Sequence, residues 1–534
     1  MSALAERLLA VAAWNALLAL LATGAAAPDV SPPLRMLAAG LLVLVLPGTA
    51  FLGGFRRALD PPRLALAAVG LSSVVMGAGL VATALGEQDP SRMRLLCVVA
   101  SVGSVALFVL GVPRRPARGS HGILFASTAA AGFALASTAA LHVLPPFPET
   151  EREVRGTAWG LAATGRPWFP GERARPLALG HPLLLHALVA ESLLVTGEIG
   201  VTQSTYTSAR ASAAARAAGV PVDLLEVRRE DHATFLSEPA LLPTRAVSAL
   251  LFAGTLALLC ELTRRLTGSR SAGLAASALF ALSPEALLHA GSAGHGTAAA
   301  FAMLATALLM EAPLGRRPEL GWIAAGAALG AVLDQGTAVL AAGAALLAAG
   351  RAGAAAVRAP ARRLRAMGEA LDRRAAALLV GFLLGTALWW IYGLWVDAPG
   401  FLRTPLWTPR IGEGRTLAAA WAAFSAATGH GLLPVSLAAL AVWAVFPGAS
   451  EPRRTLAGWG LLAAGVGAFP AALPALVPAA VALAWTGDPR RPRTGGEPLR
   501  AVPRPIAWTA GALLLASLVF EATALLRLVQ DFRA

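Results

Sequence analysis

Long apolar runs, separated by short polar segments rich in arginine, proline and glycine, fill most of this chain. Many of these runs are long enough for a helix to cross a bilayer. The pattern therefore predicts an all-α, polytopic membrane protein with about 15 transmembrane helices. The predicted crossings are 5–26, 36–54, 64–85, 95–112, 122–144, 243–263, 271–289, 296–311, 320–334, 336–350, 375–396, 431–446, 455–469, 471–486 and 507–526. Several later runs are short, and 320–350 is either a bent pair or one long helix.

One polar segment, residues 145–242, is far longer than the others. Inside it, 181–195 is apolar but short, and it is interrupted by His and Glu, so we expect a helix that dips into one leaflet without crossing. Residues 202–239 mix charged and small side chains and are predicted to lie in water. The segment is thus predicted to be a large loop that carries juxtamembrane helices.

The basic residues set the predicted orientation. All 44 are arginine, and those of the short loops concentrate in alternate loops, above all in 351–374. By the positive-inside rule these loops and the N-terminus are cytoplasmic, and loop 145–242 lies outside. The first 27 residues are either an uncleaved helix or a secretory signal, and either choice leaves the later loops on the same sides.

Composition narrows the partners. The chain is 56% hydrophobic and 14% charged, with mean hydropathy +0.64, whereas soluble domains carry about 25% charged residues. The net charge of +14 does not indicate nucleic-acid binding, because no basic stretch is interleaved with aromatic residues. Cys97 and Cys260 fall in apolar runs at opposite leaflets, which excludes a disulfide between them.

Three acids, Glu149, Glu151 and Glu153, stand where the long loop leaves a crossing. One interpretation is structural: Thr150 and Glu153 fit a capping box, which starts an amphipathic surface helix that ends near Thr164. That interpretation accounts for Glu151 and Glu153 but leaves Glu149 outside the cap. The other interpretation is catalytic, because a partly desolvated acid at the membrane edge can act as a general base.

The order of motifs in this loop resembles the GT-C superfamily of membrane glycosyltransferases, in particular the branch of protein O-mannosyltransferases and aminoarabinose transferases. That branch has an acidic motif in the first outer loop, then Gly-x-Trp, then His-Pro-Pro-Leu. Here the counterparts are 149–153, Gly-Arg-Pro-Trp at 165–168 and His-Pro-Leu-Leu at 181–184. The likeness continues through 241–284, 321–340 and 469–485.

The resemblance implies a GT-C-like core over 121–486, an N-terminal four-helix membrane module over 1–120, and a cytoplasmic loop with a final transmembrane helix over 487–534. It implies transfer, with inversion, of a sugar from a polyprenyl-phosphate donor at the outer side of the cytoplasmic (inner) membrane. Carried over by position, Glu149 is the general base and Glu151 the second choice. Arg245 would face the donor phosphate and His181 would shape the mouth of the site.

The chain also departs from the family pattern. The acid that often follows the Ser-Pro turn is missing, and residues 283–297 offer Glu285, His289 and His295 instead. The histidines have two interpretations, as residues that tolerate the interface or as the lining of a polar cavity that binds phosphate or a metal. No cofactor is firmly implied; a divalent metal is possible, although hard cations prefer oxygen ligands.

Two other functions stay open at this stage. A transporter or flippase for a lipid-linked substrate would carry ionisable groups within the membrane or paired discontinuous helices. A GT-C-like assembly factor without activity would explain the missing family residues. The expected partners are membrane lipid, a lipid-linked sugar donor and a glycan, lipid or protein acceptor, with no nucleic acid.

Overall fold

The computed structural model describes residues 3–55, 59–85, 92–112, 120–142, 149–164, 182–197, 241–267, 269–281, 284–310, 318–333, 357 and 373–403. Every secondary-structure element in these ranges is helical. In chain order the α-helices are α1 (Ala3–Ala26), α2 (Pro32–Leu44), α3 (Leu46–Thr49), α4 (Pro61–Leu85), α5 (Arg92–Leu110), α6 (Ser120–His142), α7 (Glu149–Thr164), α8 (Leu184–Thr196), α9 (Leu241–Thr267), α10 (Arg270–Ala281), α11 (Pro284–Ala290), α12 (His295–Met310), α13 (Pro318–Leu333) and α14 (Arg373–Arg403). A short 3-10 helix, Leu52–Gly54, follows α3.

Six described helices are long and apolar enough to cross a membrane: α1, α4, α5, α6, α9 and α14. All six coincide with predicted crossings, so the multi-pass character expected from the hydropathy pattern is confirmed over this part of the chain. The predicted crossings 336–350, 431–446, 455–469, 471–486 and 507–526 lie outside the described residues. The total of about fifteen therefore stays a prediction.

The predicted crossing 36–54 is a broken helix rather than a straight one. Its two parts, α2 and the segment Leu46–Gly54, are bent by 43° at Val45. Pro47 lacks the N–H that a continuous helix would use. The N–H of Gly48 donates instead to Ser72 Oγ of α4, at 2.7 Å. Gly48 also lies so close to the Ala68 carbonyl that a Cβ there would overlap it, so the break seats this backbone directly on α4.

The predicted crossing 271–289 is also divided, into α10 and the seven-residue α11, which begins at Pro284. A proline disfavours helical backbone in the residue before it and cannot donate its own hydrogen bond. Neither helix alone is long enough to cross a bilayer, and α12 and α13, with 16 residues each, are also short.

The chain divides into two compact units. Unit 1 comprises residues 1–253, 288–295 and 393–404, and unit 2 comprises 254–287, 296–392 and 405–534. The divisions fall within α9, α11, α12 and α14. The domain boundaries predicted after residues 120 and 486 stay a prediction.

In unit 1, α1 and α5 run antiparallel and are connected by side-chain hydrogen bonds at three positions along their length. Arg7 Nη1 donates to the Phe108 carbonyl at 2.9 Å, near the start of α1 and the end of α5. Asn15 Nδ2 donates to Ser104 Oγ at 2.9 Å near the middle. At the other end Arg92 Nη2 donates to the Ala22 carbonyl at 2.6 Å. Arg7 thus satisfies a carbonyl in the last turn of α5, which has no partner within its own helix, and Arg92 adds a donor to a carbonyl near the end of α1.

The loop helix α8 lies inside unit 1, where it packs against α1, α2, α4, α5 and α7. Its 13 residues are too few to cross a bilayer, as the sequence predicted. It ends at Gly197, whose φ of 78° is left-handed and whose N–H donates to the carbonyls of Leu193 and Leu194. Such a cap favours glycine, because other residues are strained at positive φ.

In unit 2 the helices pack through small residues. Ser277 Oγ of α10 donates to the Leu256 carbonyl of α9 at 3.0 Å, and Gly273 lies against the backbone of Cys260. Gly381 of α14 lies against the backbone of α13 in the same way, beside Ala324. Such residues let two backbones approach closely, as is common between membrane helices.

Cys97 and Cys260 are both free thiols.

Candidate functional site

The acidic segment starts helix α7, but not as the capping box predicted. The helix begins at Glu149, so Thr150 lies within it instead of preceding it, and the predicted cap is wrong. Both Glu149 and Glu151 are therefore in the first turn, where acids suit the helix dipole. Helix formation therefore accounts for Glu149 as well as for Glu151.

The predicted end of α7 at Thr164 and its predicted apolar face are both confirmed. The four face residues are buried: Val154, Ala158, Leu161 and Ala162. Arg155 and Thr157 are buried as well, so the covered surface is wider than the stripe of a helix that lies on a membrane. The cause is α8, which packs along α7.

Glu151 and Arg245 form a bidentate ion pair between α7 and α9. Arg245 Nε donates to Glu151 Oε1 at 2.9 Å, and Nη2 donates to Oε2 at 3.2 Å. The side chains are 0% exposed for Arg245 and 1% exposed for Glu151. The planar guanidinium fork matches the two carboxylate oxygens, which makes this the strongest common geometry for such a pair.

Two backbone groups complete the cluster. Arg245 Nη1 donates to the Ala140 carbonyl in the last turns of α6, at 2.7 Å. The Ala293 N–H, in the turn between α11 and α12, donates to Glu151 Oε1 at 3.1 Å. One pair of side chains thus connects the ends of α6, α7 and α9 with the turn at 291–294. We refer to Glu151, Arg245 and these two backbone groups as the ion-pair cluster.

The geometry of the ion-pair cluster decides what Glu151 can do. Both of its oxygens accept hydrogen bonds, and Oε1 accepts two. A carboxylate held in this way is fixed in position, and its oxygens are already engaged by protein donors. In this arrangement Glu151 is suited to positioning α7 and Arg245, rather than to taking a proton from a substrate.

Two imidazoles of unit 1 are in contact with each other. The rings of His186, in the first turn of α8, and His295, the first residue of α12, have centroids 5.1 Å apart and are tilted by 60°. His186 is fully buried, and His295 is partly exposed. Because His295 follows Ala293 by two residues, the imidazole pair and the ion-pair cluster share one turn of chain.

The remaining predicted site residues are placed as follows. His289 lies in the last turn of the short helix α11 and is partly exposed. Glu149 begins α7, but its side chain, like that of Glu285, is outside the described residues, as is the whole of His181. The structure therefore brings Glu151 and Arg245 into contact, with His295 two residues after the Ala293 N–H that binds Glu151, and the catalytic assignment of Glu149 stays a prediction.

Glu191, in the middle of α8, is a buried acid of a different kind. It is 0% exposed, and neither carboxyl oxygen has a hydrogen-bond partner in the described structure. Burial raises the pKa of this carboxyl well above its usual range, because the charged form loses its hydration. Burial thus favours the protonated, neutral form of Glu191 over the charged form.

His186 and Glu191 were not among the residues predicted for the site. Their signal was in the sequence, because both interrupt the apolar run 181–195. The prediction used that interruption only to argue against a crossing. A charged residue within an apolar membrane segment is itself an indication of function.

The described residues contain no group of three or more His, Cys, Asp or Glu side chains that could hold a metal ion. The His186–His295 pair falls short of such a set. A divalent metal, proposed from the sequence as a possibility, therefore gains no support from this part of the chain.

Comparison with protein-family models, with curated proteins and with solved structures finds no match.

Proposed function

We propose that this protein is a glycosyltransferase of the cytoplasmic membrane that moves a sugar from a polyprenyl-phosphate donor to an acceptor hydroxyl on the outer side. The acceptor is a glycan, a lipid or a protein. The fold proposed for the whole chain is a GT-C-like membrane protein of about fifteen crossings. The N-terminus would be cytoplasmic and the loop 145–242 outside.

The observation that carries this proposal is the ion-pair cluster. The acidic segment of the long loop and the arginine near the start of the next crossing were singled out separately, 94 residues apart, and their side chains are in contact. His295, the third candidate, lies on the turn whose Ala293 N–H binds Glu151. Contact between two residues at positions that resemble one family's motifs supports the proposal.

In the proposed reaction Glu149 is the general base. It would accept the proton of the acceptor hydroxyl while that oxygen attacks the anomeric carbon. The bond from this carbon to the phosphate oxygen breaks, and the polyprenyl phosphate leaves with the electron pair, so the anomeric configuration inverts. Glu151, two residues along the same turn of α7, would be the positioning residue, because the ion-pair cluster fixes it to α9.

Arg245 has two possible roles in this reaction. The resemblance implies contact with the donor phosphate, whereas in this structure its guanidinium binds Glu151 and the Ala140 carbonyl. A residue that binds the phosphate affects the donor KM, whereas a positioning residue affects kcat. Kinetics of Arg245→Lys, which keeps the charge but loses the bidentate fork, distinguish these roles.

The experiment that tests the proposal is sugar transfer by the purified chain in lipid nanodiscs. A panel of labelled hexosyl and pentosyl polyprenyl phosphates is offered with lipid, glycan and peptide acceptors. Glu149→Gln is compared with Glu153→Gln, a matched control on the same helix. We expect Glu149→Gln to lower the rate by about 10²–10⁴-fold, since this is the usual contribution of a general base.

Three results would count against the proposal. Full activity of a folded Glu149→Gln variant would remove the proposed base, and a product that retains the anomeric configuration would remove the inverting mechanism. If no donor in the panel supports transfer by the wild type, the glycosyltransferase assignment itself fails.

A second candidate function is transport of a lipid-linked substrate, and Glu191 is the observation that favours it. A buried acid without an ion pair inside a membrane protein is a common feature of proton-coupled transporters. Movement of a fluorescent polyprenyl-phosphate sugar between leaflets of a proteoliposome, with no new glycosidic bond, would favour this function over transfer.

A further inference from the structure

Glu191 differs from the other buried acids of the described residues in having no partner. Glu151 is bound by Arg245, and Glu261 accepts hydrogen bonds from Arg264 and Arg265, each at 2.7 Å. Both oxygens of Glu191 are buried without a hydrogen bond. Buried polar groups are almost always satisfied in folded proteins, so such an exception calls for an explanation.

The charged groups on the helices that pack against α8 leave Glu191 uncompensated. Arg7 and Arg92 donate to the carbonyls of Phe108 and Ala22, and Arg35 Nε donates to the Ala25 carbonyl at 3.2 Å. Among the described side chains, no ion pair involves Glu191. The described charged or titratable side chains on these helices are Glu6 and Arg7 of α1, Arg35 of α2, Arg63 of α4, Arg92 and Arg94 of α5, Glu151 and Arg155 of α7, and His186 of α8 itself.

Only the neutral form of Glu191 can be buried in this environment at low cost in free energy. Burying an ionised carboxylate without a partner costs several kcal/mol, whereas a neutral carboxylic acid loses at most a hydrogen bond or two. The packing of α8 among α1, α2, α4, α5 and α7 therefore depends on a proton at Glu191. Ionisation would favour any arrangement that brings water or a cation to this carboxyl.

We propose that Glu191 is a proton-binding site that holds α8 in its buried position, so that release of this proton and displacement of α8 are linked. The ligand is the proton itself. The proposal does not rest on the glycosyltransferase assignment. It affects the candidate site all the same, because α8 also carries His186, which contacts His295.

The first test is infrared spectroscopy of the full chain in nanodiscs. A protonated carboxylic acid gives a carbonyl band that shifts in heavy water, whereas ionised carboxylates absorb elsewhere. We expect such a band at neutral pH in the wild type and its loss in Glu191→Gln. Glu261→Gln is the matched control and should keep the band, since Glu261 is bridged by two arginines. A wild type without a band that Glu191→Gln removes would overturn the proposal.

The second test measures displacement of α8 directly. Ser192, fully buried beside Glu191, is changed to cysteine in a chain with Cys97→Ser and Cys260→Ser, and an uncharged maleimide reports its access to water. Labelling rates are divided by those of the same chain with Glu191→Gln, which removes the pH dependence of the thiol. We expect this ratio to rise about tenfold per pH unit between the ordinary pKa of a glutamate and the raised pKa of buried Glu191.

A ratio that stays flat from mildly acidic to alkaline pH would show that α8 does not move with the proton, and the linkage would be rejected. If Glu191→Gln does not fold, Glu191→Met serves in both tests, because its side chain is of similar length and cannot ionise. The sugar-transfer assay reports the proposed function separately, so a chain that fails one set of tests can still pass the other.

Discussion

The ion-pair cluster makes a quantitative prediction about stability. Changing Arg245 to Met leaves the Glu151 carboxylate buried with only the Ala293 N–H, and it leaves the Ala140 carbonyl without this donor. Breaking a buried ion pair on one side costs about 3–5 kcal/mol, and an unsatisfied buried carbonyl is worth about 1–3 kcal/mol. These contributions overlap, so we expect a loss of about 3–5 kcal/mol in the free energy of unfolding.

The measurement is reversible unfolding in mixed micelles, followed by helical circular dichroism. Arg264→Met is the matched control on the same helix. Glu261 keeps Arg265 at 2.7 Å when Arg264 is removed, and Arg264 is partly exposed. For such a pair we expect a loss below about 1 kcal/mol. The comparison therefore separates the ion-pair cluster from a general effect of replacing an arginine in α9.

A double-mutant cycle completes the test. In Glu151→Met with Arg245→Met no charge is left buried, and apolar side chains fill similar volumes. The double variant should then lose less stability than the two single variants added together, by about 2–3 kcal/mol. A loss below 1 kcal/mol in Arg245→Met, or strict additivity in the cycle, would refute the reading of these residues as a coupled buried pair.

Three further predictions concern packing, pH and topology. Gly381→Ala would push a Cβ into the backbone of α13 and should lower the free energy of unfolding by about 1–3 kcal/mol. The control is Gly77→Ala, where an added Cβ meets nothing described within 4 Å, and it should leave this free energy unchanged. The folded state binds the Glu191 proton more tightly than the unfolded chain does. The free energy of unfolding should therefore fall as pH rises above about 4.5 towards the raised pKa of folded Glu191. The same slope of this free energy against pH in Glu191→Gln would contradict the prediction. In intact cells a membrane-impermeant thiol reagent should label Ala215→Cys but not Ala359→Cys in a chain freed of its own cysteines, and the reverse pattern would overturn the proposed orientation.

The apolar runs predicted the described crossings well because hydropathy is a local property. Each of α1, α4, α5, α6, α9 and α14 is one uninterrupted run. Prediction was poorer where a proline stands inside a run, as at Pro47 and Pro284. There the backbone gains contacts with a neighbour that a window of sequence does not contain, such as the Gly48–Ser72 hydrogen bond.

The candidate site was predicted as a set of residues but not as an arrangement. Glu151 and Arg245 were both singled out, in separate roles, and their pairing depends on how α7 and α9 come together. Glu151 ranked second to Glu149 as the general base because a cap explains an acid near a helix start. A cap is worth only about 1 kcal/mol and says nothing about burial, so it could not distinguish a solvated acid from a buried one.

The hydrogen bonds between α1 and α5 also bear on how the protein is made. The Ala22 carbonyl near the end of α1 accepts an additional hydrogen bond from Arg92, 70 residues later, and Arg7 finds its acceptor, Phe108, only 101 residues later. During synthesis α1 therefore enters the membrane before its partners have been translated. Until α5 has been translated, α1 lacks its hydrogen bonds to that helix. A pause or truncation before residue 92 would therefore leave α1 available to quality-control proteases.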